Sequence, residues 1–312
     1  MLGVWRLQLL REVARRGTIT AAAEALSITP SAVSQQLKLL EAEAGVAIVE
    51  RHGRRVRLTE AGMTLVRHAD TISDALEAAE SDLAASRAGI AGTLRVAAFP
   101  TAARAILPSA ITILGGQHPG LRVTLRDLET AESLVALAMD EVDLAVVDEY
   151  DESARVREQG LEVVPLLRDP INVALPIDSR VGHGDGGPGR RPRGPASTRL
   201  TDLHDQPWIM DTEASAIYGA VLRACRRAGF EPHVRSRCRD YSVIIALVEA
   251  GLGGAFLPGL ALRDRPIRAS VAQLDPPLER TVMVALKPAR RRHPAVAAMV
   301  EALQRSAGEV VA

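Results

Sequence analysis

The stretch TAAAEALSITPSAVSQQLKLLE, residues 20–41, has the pattern of two short helices joined by a tight turn. Its first part is rich in Ala and Leu, which are strong helix formers. Ser27 and Ile28 interrupt that run. Thr29 is suited to cap a second helix, with Pro30 at the first helical position, where its missing N–H costs nothing. The stretch therefore predicts a helix-turn-helix.

The second helix has an apolar face and a polar face. Val33, Leu37 and Leu40 recur at helical spacing and are expected to face the core. Short hydroxyls, amides and one cation lie on the other face, at Ser31, Ser34, Gln35, Gln36 and Lys38. Because such groups suit phosphate oxygens and base edges in the major groove, we predict that they bind DNA together with Thr29 and Pro30. For two helices alone, a solvated amphipathic pair is an equally good interpretation.

A basic hairpin is predicted after the second helix. Within residues 45–58, two short apolar strands would flank a turn at Gly53. The turn carries four cationic or titratable side chains, those of Arg51, His52, Arg54 and Arg55. Next to a helix-turn-helix, this hairpin is typical of a wing whose guanidinium groups meet phosphates or enter the minor groove. As an isolated feature it would more often be a solvated loop.

Length and charge limit the class of protein. The 312 residues allow two or three domains, and 47 % hydrophobic with 3 % aromatic residues implies cores of Ala, Leu and Val. The formal net charge of zero argues against a wholly basic nucleic-acid protein. However, residues 1–60 carry nine Arg and Lys against six acidic residues, whereas residues 95–150 carry four against eight. A basic head on an acidic body can bind DNA locally.

Several classes of site lack a signature in the sequence. Two cysteines, Cys225 and Cys238, cannot make a disulfide framework or, unaided, a zinc site, so free and packed thiols are favoured over a redox pair. We find no catalytic motif such as a P-loop or H-E-x-x-H, and we predict no enzyme activity, cofactor or metal. With no leader and no membrane-length apolar run, we expect a soluble, cytoplasmic protein.

The N-terminal run resembles the winged helix-turn-helix of LysR-type transcriptional regulators. The resemblance is carried by AAAEAL at residues 21–26, TPSAVSQQLKLLE at 29–41 and RRVRLTEAG at 54–62. One departure is a packing change: the family usually has a bulky aromatic just before the wing, where this chain has Ile48 and Val49. The resemblance implies a regulator that binds promoter DNA as a homodimer or as a dimer of dimers.

A long helix with a heptad seam is predicted over residues 59–87. Its apolar positions alternate four and three residues apart, at Leu65, Ala69, Ile72, Leu76, Ala79 and Leu83. The plain alternative is a helix that packs on its own domain. The length of the seam and the charged remainder of the helix favour pairing with a second helix, in line with the family. Gly89 and Gly92 would end the helix and provide a joint.

From residue 93 onwards strands and helices alternate, which predicts an α/β fold. Strands at 94–99, 123–128 and 143–147, with helices at 101–114 and 132–139, imply a parallel sheet covered by helices. Further strands are predicted at 163–167, 171–175, 208–210, 233–238, 254–257 and 281–286, and further helices at 215–227, 242–249 and 294–304. The order resembles the two-lobed, periplasmic-binding-protein-like effector domain of the same family.

The predicted domains follow from these patterns. A winged helix-turn-helix occupies residues 1–60, a linker and dimerisation helix 61–90, and an effector-binding domain 91–312. Chain crossings near Arg168 and Arg263 would divide the last into lobe I (91–168 and 264–312) and lobe II (169–263). Residues 182–197, GHGDGGPGRRPRGPAS, form a low-complexity insert that we expect to be a mobile surface loop. Its Arg residues could touch DNA or a partner, but a solvated insert is favoured.

A small-molecule effector is expected in the cleft between the lobes, at the carboxyl ends of strands. The candidate residues follow predicted strands in both lobes and are Pro100, Thr101, Ala102, Thr130, Thr212, Asp240, Tyr241 and Ser242. Backbone N–H groups and the Thr101 hydroxyl would suit a carboxylate, and the family commonly places a hydroxyl residue at that position. Alternatively, Thr101, Thr130 and Ser242 are ordinary helix caps, a role compatible with ligand contact.

Two other functions remain open. The N-terminal helices could merely assemble a small-molecule-binding protein that does not bind DNA, although the arginine-bearing hairpin weighs against this. An enzyme would need a catalytic pair that we do not find. The sequence identifies neither the effector nor the operator, and it does not tell activation from repression.

Overall fold

The computed structural model describes residues 2–52, 55–85, 89–150, 160–177, 196–213, 215–263 and 266–311. The chain divides into two compact units. The first comprises Met1–Ala88 with Arg292–Pro294, and the second comprises Gly89–Arg291 with Ala295–Ala312. Among the described helices, none combines the length and apolar character that crossing a bilayer requires.

The first unit begins with three helices, α1 (Val4–Arg16), α2 (Ile19–Ala25) and α3 (Pro30–Ala44). Helix α1 ends at Gly17, whose φ of 71° lies in the left-handed region. The hydroxyl of Thr18 caps α2 and that of Thr29 caps α3. Ser27 also has a positive φ, 54°, and turns the chain between α2 and α3. The predicted helix-turn-helix is confirmed.

The core of this unit lies where the three helices meet. Its buried residues are Leu7, Leu9, Leu10, Val13, Ala22, Ala23, Val33, Leu37, Leu40, Ile48 and Ala69. The three residues expected to face inward from the second helix are therefore in the core. In α1, Leu7, Leu9, Leu10 and Val13 are buried, whereas Val4 is 43 % exposed.

The hairpin after α3 is shorter than predicted. Strands β1 (Val49–His52) and β2 (Arg55–Leu58) pair antiparallel. The strand predicted from residue 45 was wrong, because Gly45 is the left-handed C-cap of α3 and Ile48 turns fully into the core. The turn predicted at Gly53 lies outside the described residues.

The start of the next helix, α4 (Glu60–Ala85), is fastened to the segment before β1. The Thr59 hydroxyl donates to the carbonyl oxygen of Ala47 at 2.8 Å and accepts from the Gly62 N–H at 3.0 Å. The Thr59 N–H donates to the carbonyl oxygen of Ile48 at 3.1 Å. A Cβ on Gly62 would lie 2.1 Å from that same Ile48 oxygen, so only glycine allows this approach.

The heptad seam of α4 has two different environments. Its first half, Leu65, Ala69 and Ile72, packs against the core of the first unit. In its second half Leu76 is 42 % exposed and Leu83 is 65 % exposed. The interpretation of the whole seam as a pairing surface was therefore wrong for its first half, which packs on its own domain.

The second unit is built on one nine-stranded sheet with the order β4-β3-β5-β11-β6-β10-β8-β9 and with β7 beside β11. Its strands are β3 (Gly92–Ala98), β4 (Leu121–Asp127), β5 (Leu144–Tyr150), β6 (Glu162–Pro176), β7 (Ala196–Thr198), β8 (Pro207–Met210), β9 (His233–Arg237), β10 (Gly254–Pro258) and β11 (Ala269–Leu286). Its helices are α5 (Pro100–Ala105), α6 (Leu107–Gln117), α7 (Thr130–Ala138), α8 (Ala216–Arg227), α9 (Tyr241–Glu249), α10 (Gly259–Leu262) and α11 (Pro294–Val311).

The strands at the two ends of this sheet pair in parallel, and the short β7 also pairs parallel with β11. Strands β4, β3 and β5 are parallel, as predicted, and so are β10, β8 and β9. Helices cover both faces at each end: α6, α11 and α7 pack on β3–β5, and α8 and α9 pack on β8–β10. We call these ends lobe I and lobe II.

Two long antiparallel strands, β6 and β11, join the lobes. They pair from Glu162 with Leu286 in lobe I to Pro176 with Ala269 in lobe II. The predicted break between strands at 163–167 and 171–175 was wrong, because the polar residues between them continue the ladder. The second crossing, predicted near Arg263, occurs within β11 where the register shifts between Gln273 and Leu278.

Two smaller predictions also need correction. The helix predicted over residues 101–114 is interrupted at Ile106, because Pro108 in the first turn of α6 lacks the N–H that would continue the ladder. Phe99, predicted to end the strand, is the N-cap of α5. In the low-complexity insert, Ala196 and Ser197 belong to β7, while residues 182–195 lie outside the described residues.

Candidate functional site

The polar face of α3 is one continuous surface. Ser31, Gln35 and Lys38 are exposed, and Ser34 is half-buried. These positions are three or four residues apart, so they lie on one side of the helix. The Ser34 hydroxyl donates to the Pro30 carbonyl oxygen at 3.0 Å, whereas no such backbone bond ties the Gln35 amide or the Lys38 ammonium among the described contacts. Gln35 and Lys38 are the long polar groups of this face.

The cap of α3 uses part of the predicted surface. Thr29 Oγ1 accepts from the Ala32 N–H at 3.2 Å and lies 2.9 Å from the Ser31 hydroxyl. Pro30 occupies the first helical positions, as predicted. These residues set where the helix starts, which places the longer side chains that follow.

Gln36 is held from α1. Arg6 Nη1 donates to Gln36 Oε1 at 3.4 Å, and Arg6 also forms an ion pair with Glu43 near the end of α3. The hydrogen bond from Arg6 lowers the pKa of the Glu43 carboxyl. Arg6 did not emerge from the sequence, because 37 residues separate it from Glu43 and no local pattern connects the two.

The cationic residues of the wing are described only in part. Arg51, His52 and Arg55 belong to the hairpin, with His52 opposite Arg55 at its tip, and the backbone alone is described for them. Arg54 lies outside the described residues. Their contact with DNA stays a prediction.

In the second unit a cavity lies between the lobes. Lobe I contributes Phe99, Pro100, Thr101, Glu129, Asp148 and Tyr150, lobe II contributes Asp211, Ser215, Ala216, Ile217, Arg239 and Tyr241, and β11 contributes Arg280. We call this set the interlobe cavity. Its free space is about 20 Å³, which is room for about one water molecule.

Arg280 is the buried centre of the interlobe cavity and is 4 % exposed. Its Nε donates to Asp169 Oδ2 at 2.9 Å, its Nη1 to Asp148 Oδ2 at 3.0 Å, and its Nη2 to Thr101 Oγ1 at 2.8 Å. Its guanidinium carbon lies 4.7 Å from the centre of the Phe99 ring, within cation–π range. Arg280 therefore ties the crossing strands to lobe I.

Two further carboxylates line the cavity from opposite lobes. Burial, followed by the charges of Asp148 and Asp211, raises the pKa of the Glu129 carboxyl to about 7. Burial also raises the pKa of Asp211, although hydrogen bonds from the Thr212 N–H and from Tyr241 oppose that shift. Glu129 and Asp211 are thus close enough to repel one another when both are ionised.

The eight effector residues predicted from the sequence divide into two groups. Pro100, Thr101 and Tyr241 line the interlobe cavity. Ala102 is outside the lining, and its side chain is fully buried in the core of lobe I, so only its backbone N–H stays a candidate contact. The other four, Thr130, Thr212, Asp240 and Ser242, are outside the lining.

Thr130 and Thr212 form hydrogen bonds with residues of the lining, and Asp240 and Ser242 bond to each other at the start of α9. Thr130 Oγ1 accepts from the Asp148 N–H at 3.0 Å, and the Thr212 N–H donates to Asp211 at 2.6 Å. Asp240 accepts from the Ser242 N–H at 2.7 Å.

The alternative that Thr101, Thr130 and Ser242 are helix caps was wrong. The N-caps are Phe99, Glu129 and Asp240, each one or two residues earlier in the chain. Three residues of the site, Asp148, Asp169 and Arg280, were not predicted from the sequence. Asp148 offered a weak signal, a carboxylate at the end of a buried strand, whereas Asp169 and Arg280 meet only through sheet pairing.

The thiols lie outside the lining of the cavity. Cys225 is buried in the core of lobe II, and burial raises its pKa to about 12, so the thiol stays protonated. Cys238, directly after β9, is half-buried. Within the described part of the chain, no three His, Cys, Asp or Glu side chains are grouped so that they could hold a metal ion.

Comparison with known families matches both units. Residues 87–308 match the model described as the LysR substrate binding domain. Residues 5–63 match the model of the bacterial regulatory helix-turn-helix protein, lysR family. The chain belongs to the LysR family of transcriptional regulators. As a LysR-type regulator it is a DNA-binding protein with an effector-binding domain, and the alternative without DNA binding is not supported.

Similar LysR-type regulators include a probable hydrogen peroxide-inducible genes activator from Mycobacterium avium. It is 29 % identical over 84 % of this chain and 78 % of its own length. Among solved structures, a cysteine mutant of OxyR from Corynebacterium glutamicum is 25 % identical, covers 100 % of this chain and 93 % of its own, and has a TM-score of 0.59.

Two structures of lower sequence identity share the fold. Full-length OxyR from Pseudomonas aeruginosa, also a cysteine variant, has a TM-score of 0.69 at 22 % identity and covers 97 % of this chain and 95 % of its own. Full-length CbnR in complex with its target DNA has a TM-score of 0.52 at 22 % identity and covers 98 % of this chain and all of its own.

Proposed function

We propose that this LysR-type regulator contacts operator DNA through the polar face of α3 and the wing, and that a small molecule in the interlobe cavity controls it. The observation that carries the second part is the position of the cavity. Both lobes and the crossing strand β11 contribute side chains to it, so a ligand there touches every part that would move if the lobes rotated.

The connection between the lobes supports this control. Strands β6 and β11 join them, and the ladder is irregular between Gln273 and Leu278. A ligand that binds one lobe arrangement more tightly shifts the population toward it. Such closure about two connecting strands is a common form of hinge motion.

On DNA, Gln35 and Lys38 would have different roles. An amide can read a base edge, whereas a Lys ammonium contacts phosphate as a point charge. Gln36, anchored by Arg6, would present its remaining amide groups in a fixed direction. Arg51, His52, Arg54 and Arg55 would add phosphate or minor-groove contacts from the wing.

Self-association would bring two recognition helices to one site. The exposed second half of the α4 seam, with Leu76 and Leu83, supports pairing between copies of the chain. A dimer, or a dimer of dimers, would read a two-fold operator. A cytoplasmic location stays a prediction from the sequence.

The buried Cys225 is not suited to control by thiol oxidation. Relatives are named for hydrogen peroxide induction, but the thiolate is the reactive form of cysteine, and the Cys225 thiol is buried with its pKa at about 12. Cys225 therefore lacks the exposed, low-pKa character of a peroxide-reactive thiol.

The DNA contacts are tested by fluorescence anisotropy on the DNA upstream of the chain's own gene and on a scrambled fragment, across a salt series. Lys38→Gln should weaken binding to both fragments and reduce the salt slope by about 1. Gln35→Ala should weaken binding to the upstream fragment alone. Arg223→Gln, an exposed cation of α8, is the matched control and should change neither value. Equal behaviour of all three variants would disprove the contact assignment.

A further inference from the structure

We propose that the interlobe cavity selects a small molecule with a protonated amine, whose ammonium group binds between Glu129 of lobe I and Asp211 of lobe II. The inference rests on the cavity being the effector site, as proposed above, and adds the chemical class of the ligand. It replaces the expectation of a carboxylate effector.

Two of the groups that could hold a ligand carboxylate, the Thr101 hydroxyl and the Arg280 guanidinium, are already engaged. The Thr101 hydroxyl accepts from Arg280, and the other guanidinium N–H groups of Arg280 donate to Asp148 and Asp169. A ligand carboxylate would have to displace one of these buried carboxylates, which would then lose its counter-charge.

Of the four helix N-termini around the cavity, those of α7, α8 and α9 are capped from within the chain. Helix α5 has no side-chain cap, but with six residues it sums few peptide dipoles toward an anion. At α7, Glu129 and Glu132 form a reciprocal capping box with the backbone. At α9, Asp240 accepts from the Ser242 N–H, and at α8, Ser215 accepts from the Tyr218 N–H. The chain's own carboxylates therefore occupy the anion positions at two of these termini.

The remaining charge is negative. Four carboxylates, Glu129, Asp148, Asp169 and Asp211, meet two guanidinium groups, Arg280 and Arg239, in and directly below the lining. Arg280 is shared by Asp148 and Asp169, and Arg239 is exposed, so solvent screens its charge. Burial raises the pKa of both Glu129 and Asp211 and outweighs the charge of Arg239, which lowers it, and the two carboxylates come from opposite lobes.

Size and aromatic groups fit the same class. The free space of about 20 Å³ admits a head group of about the size of water, such as an ammonium. Tyr150 and Tyr241 line the cavity, and burial raises both hydroxyl pKa values well above the usual value, so both rings stay neutral. Neutral aromatic rings favour a nearby cation.

Binding should release protons, which gives a second readout. With its pKa at about 7, Glu129 is about half protonated at neutral pH. A bound ammonium favours the carboxylate form and expels the remaining proton. The apparent heat of binding should therefore change with the ionisation enthalpy of the buffer.

The test is titration calorimetry of the full chain with methylammonium chloride and, separately, sodium acetate, which is opposite in charge and somewhat larger. Sodium formate, closer in size to methylammonium, is titrated alongside acetate and should likewise not bind, so that size does not account for the difference. Sodium chloride keeps the ionic strength equal. We expect methylammonium to bind, with heats that differ between phosphate and HEPES buffers, and acetate not to bind. Glu129→Gln and Asp211→Asn should each weaken methylammonium binding about tenfold, because each removes one charge-assisted contact. Glu213→Gln, an exposed carboxylate two residues from Asp211, is the matched control and should bind like the parent.

The outcomes separate the ligand class from the role of the site. Acetate binding in place of methylammonium, binding of neither, or unchanged binding in both variants would overturn the inference. If methylammonium binds and both variants lose it while DNA affinity does not respond, the ligand class holds and the regulatory role of the cavity fails. If acetate binds and alters DNA affinity, the role holds and the ligand class is wrong.

Discussion

Arg280 and Asp169 face each other on the two strands that join the lobes of the effector domain. They are register partners in the β11–β6 ladder, and Arg280 Nε donates to Asp169 Oδ2 at 2.9 Å. The other oxygen of Asp169 accepts from the Leu260 N–H at the start of α10, at 3.0 Å. The junction between the lobes is therefore a buried, fully polar joint with an apolar core on either side.

Arg280→Met is expected to destabilise the effector domain by about 3–5 kcal/mol, because it leaves Asp148 and Asp169 buried without a counter-charge. The measurement is urea unfolding of the full chain followed by Trp208 fluorescence, since Trp208 is fully buried in lobe II. Arg168 lies on the same strand as Asp169 and forms an exposed ion pair with Glu279. Arg168→Met, the control, should change stability by less than about 0.5 kcal/mol.

A Trp5→Phe background removes the second tryptophan, which lies in the first unit, so that the signal reports the effector domain alone. An Arg280→Met variant as stable as the parent would contradict the interpretation of this joint.

Gly62→Ala is expected to destabilise the DNA-binding unit by about 1–3 kcal/mol, because the added Cβ would lie 2.1 Å from the Ile48 carbonyl oxygen. Scanning calorimetry of the full chain should show a lower transition temperature for the DNA-binding unit and an unchanged one for the effector domain. Gly116→Ala in α6 meets nothing within 4 Å, so it should stabilise its own unit by about 0.5–1 kcal/mol. Matching shifts in the two variants would show that the close approach does not matter.

The pH dependence of effector-domain stability should depend on Glu129. The folded-state pKa of its carboxyl, about 7, lies above the unfolded value, so the folded state holds a proton that the unfolded state has lost. The associated stability is complete below the unfolded pKa and declines as the pH rises to the folded one. Because Glu129 is partly exposed, we expect a loss of only about 1–2 kcal/mol between about pH 5 and about pH 8.

The comparison is Glu129→Gln, whose stability should decline less over the same pH range. Asp211, whose pKa is also raised, leaves a smaller decline of the same sign in that variant. Parallel pH profiles for the variant and the parent would rule out Glu129 as the source.

Cys225 is expected to resist chemical modification in the folded chain. Its thiol is buried and its pKa is about 12, so the nucleophilic thiolate is scarce at pH 8. Peptide mass spectrometry after iodoacetamide should find Cys238 labelled first and Cys225 labelled only in denaturant. Oxidation of Cys225 by dilute hydrogen peroxide before Cys238 reacts would contradict the assignment of Cys225 as an unreactive core thiol.

The two halves of the α4 seam should respond differently to charge. Leu83→Glu, at a position 65 % exposed, should weaken self-association in sedimentation while leaving the calorimetric transition of the DNA-binding unit in place. Ala69→Glu, at a position 1 % exposed in the core, should instead lower that transition, because it buries an unpaired charge. If Leu83→Glu sediments like the parent at every concentration, the exposed half of the seam does not pair.

The sequence by itself determined the features whose causes are local. Thr29 and Pro30 start α3 wherever the helix lies, since capping needs only neighbouring residues, and the spacing of Val33 and Leu37 selects the inward face. The LysR-type motifs and the alternation of strands and helices from β3 to β5 could be read from the sequence in the same way. Fine boundaries failed where a neighbouring element overrode the pattern, as with Ile48, which reads as strand but fills the core.

Only the tertiary structure decided the chemistry of the cavity. Arg280 and Asp169 are 111 residues apart, and Glu129 and Asp211 lie on different lobes. Their contacts depend on the register of the sheet, and the pKa of Glu129 depends on burial and on charges that the fold brings near. Local residue spacing predicts neither the sheet register nor this pKa. Charges act through space, and the residues that share this buried site are far apart in the chain.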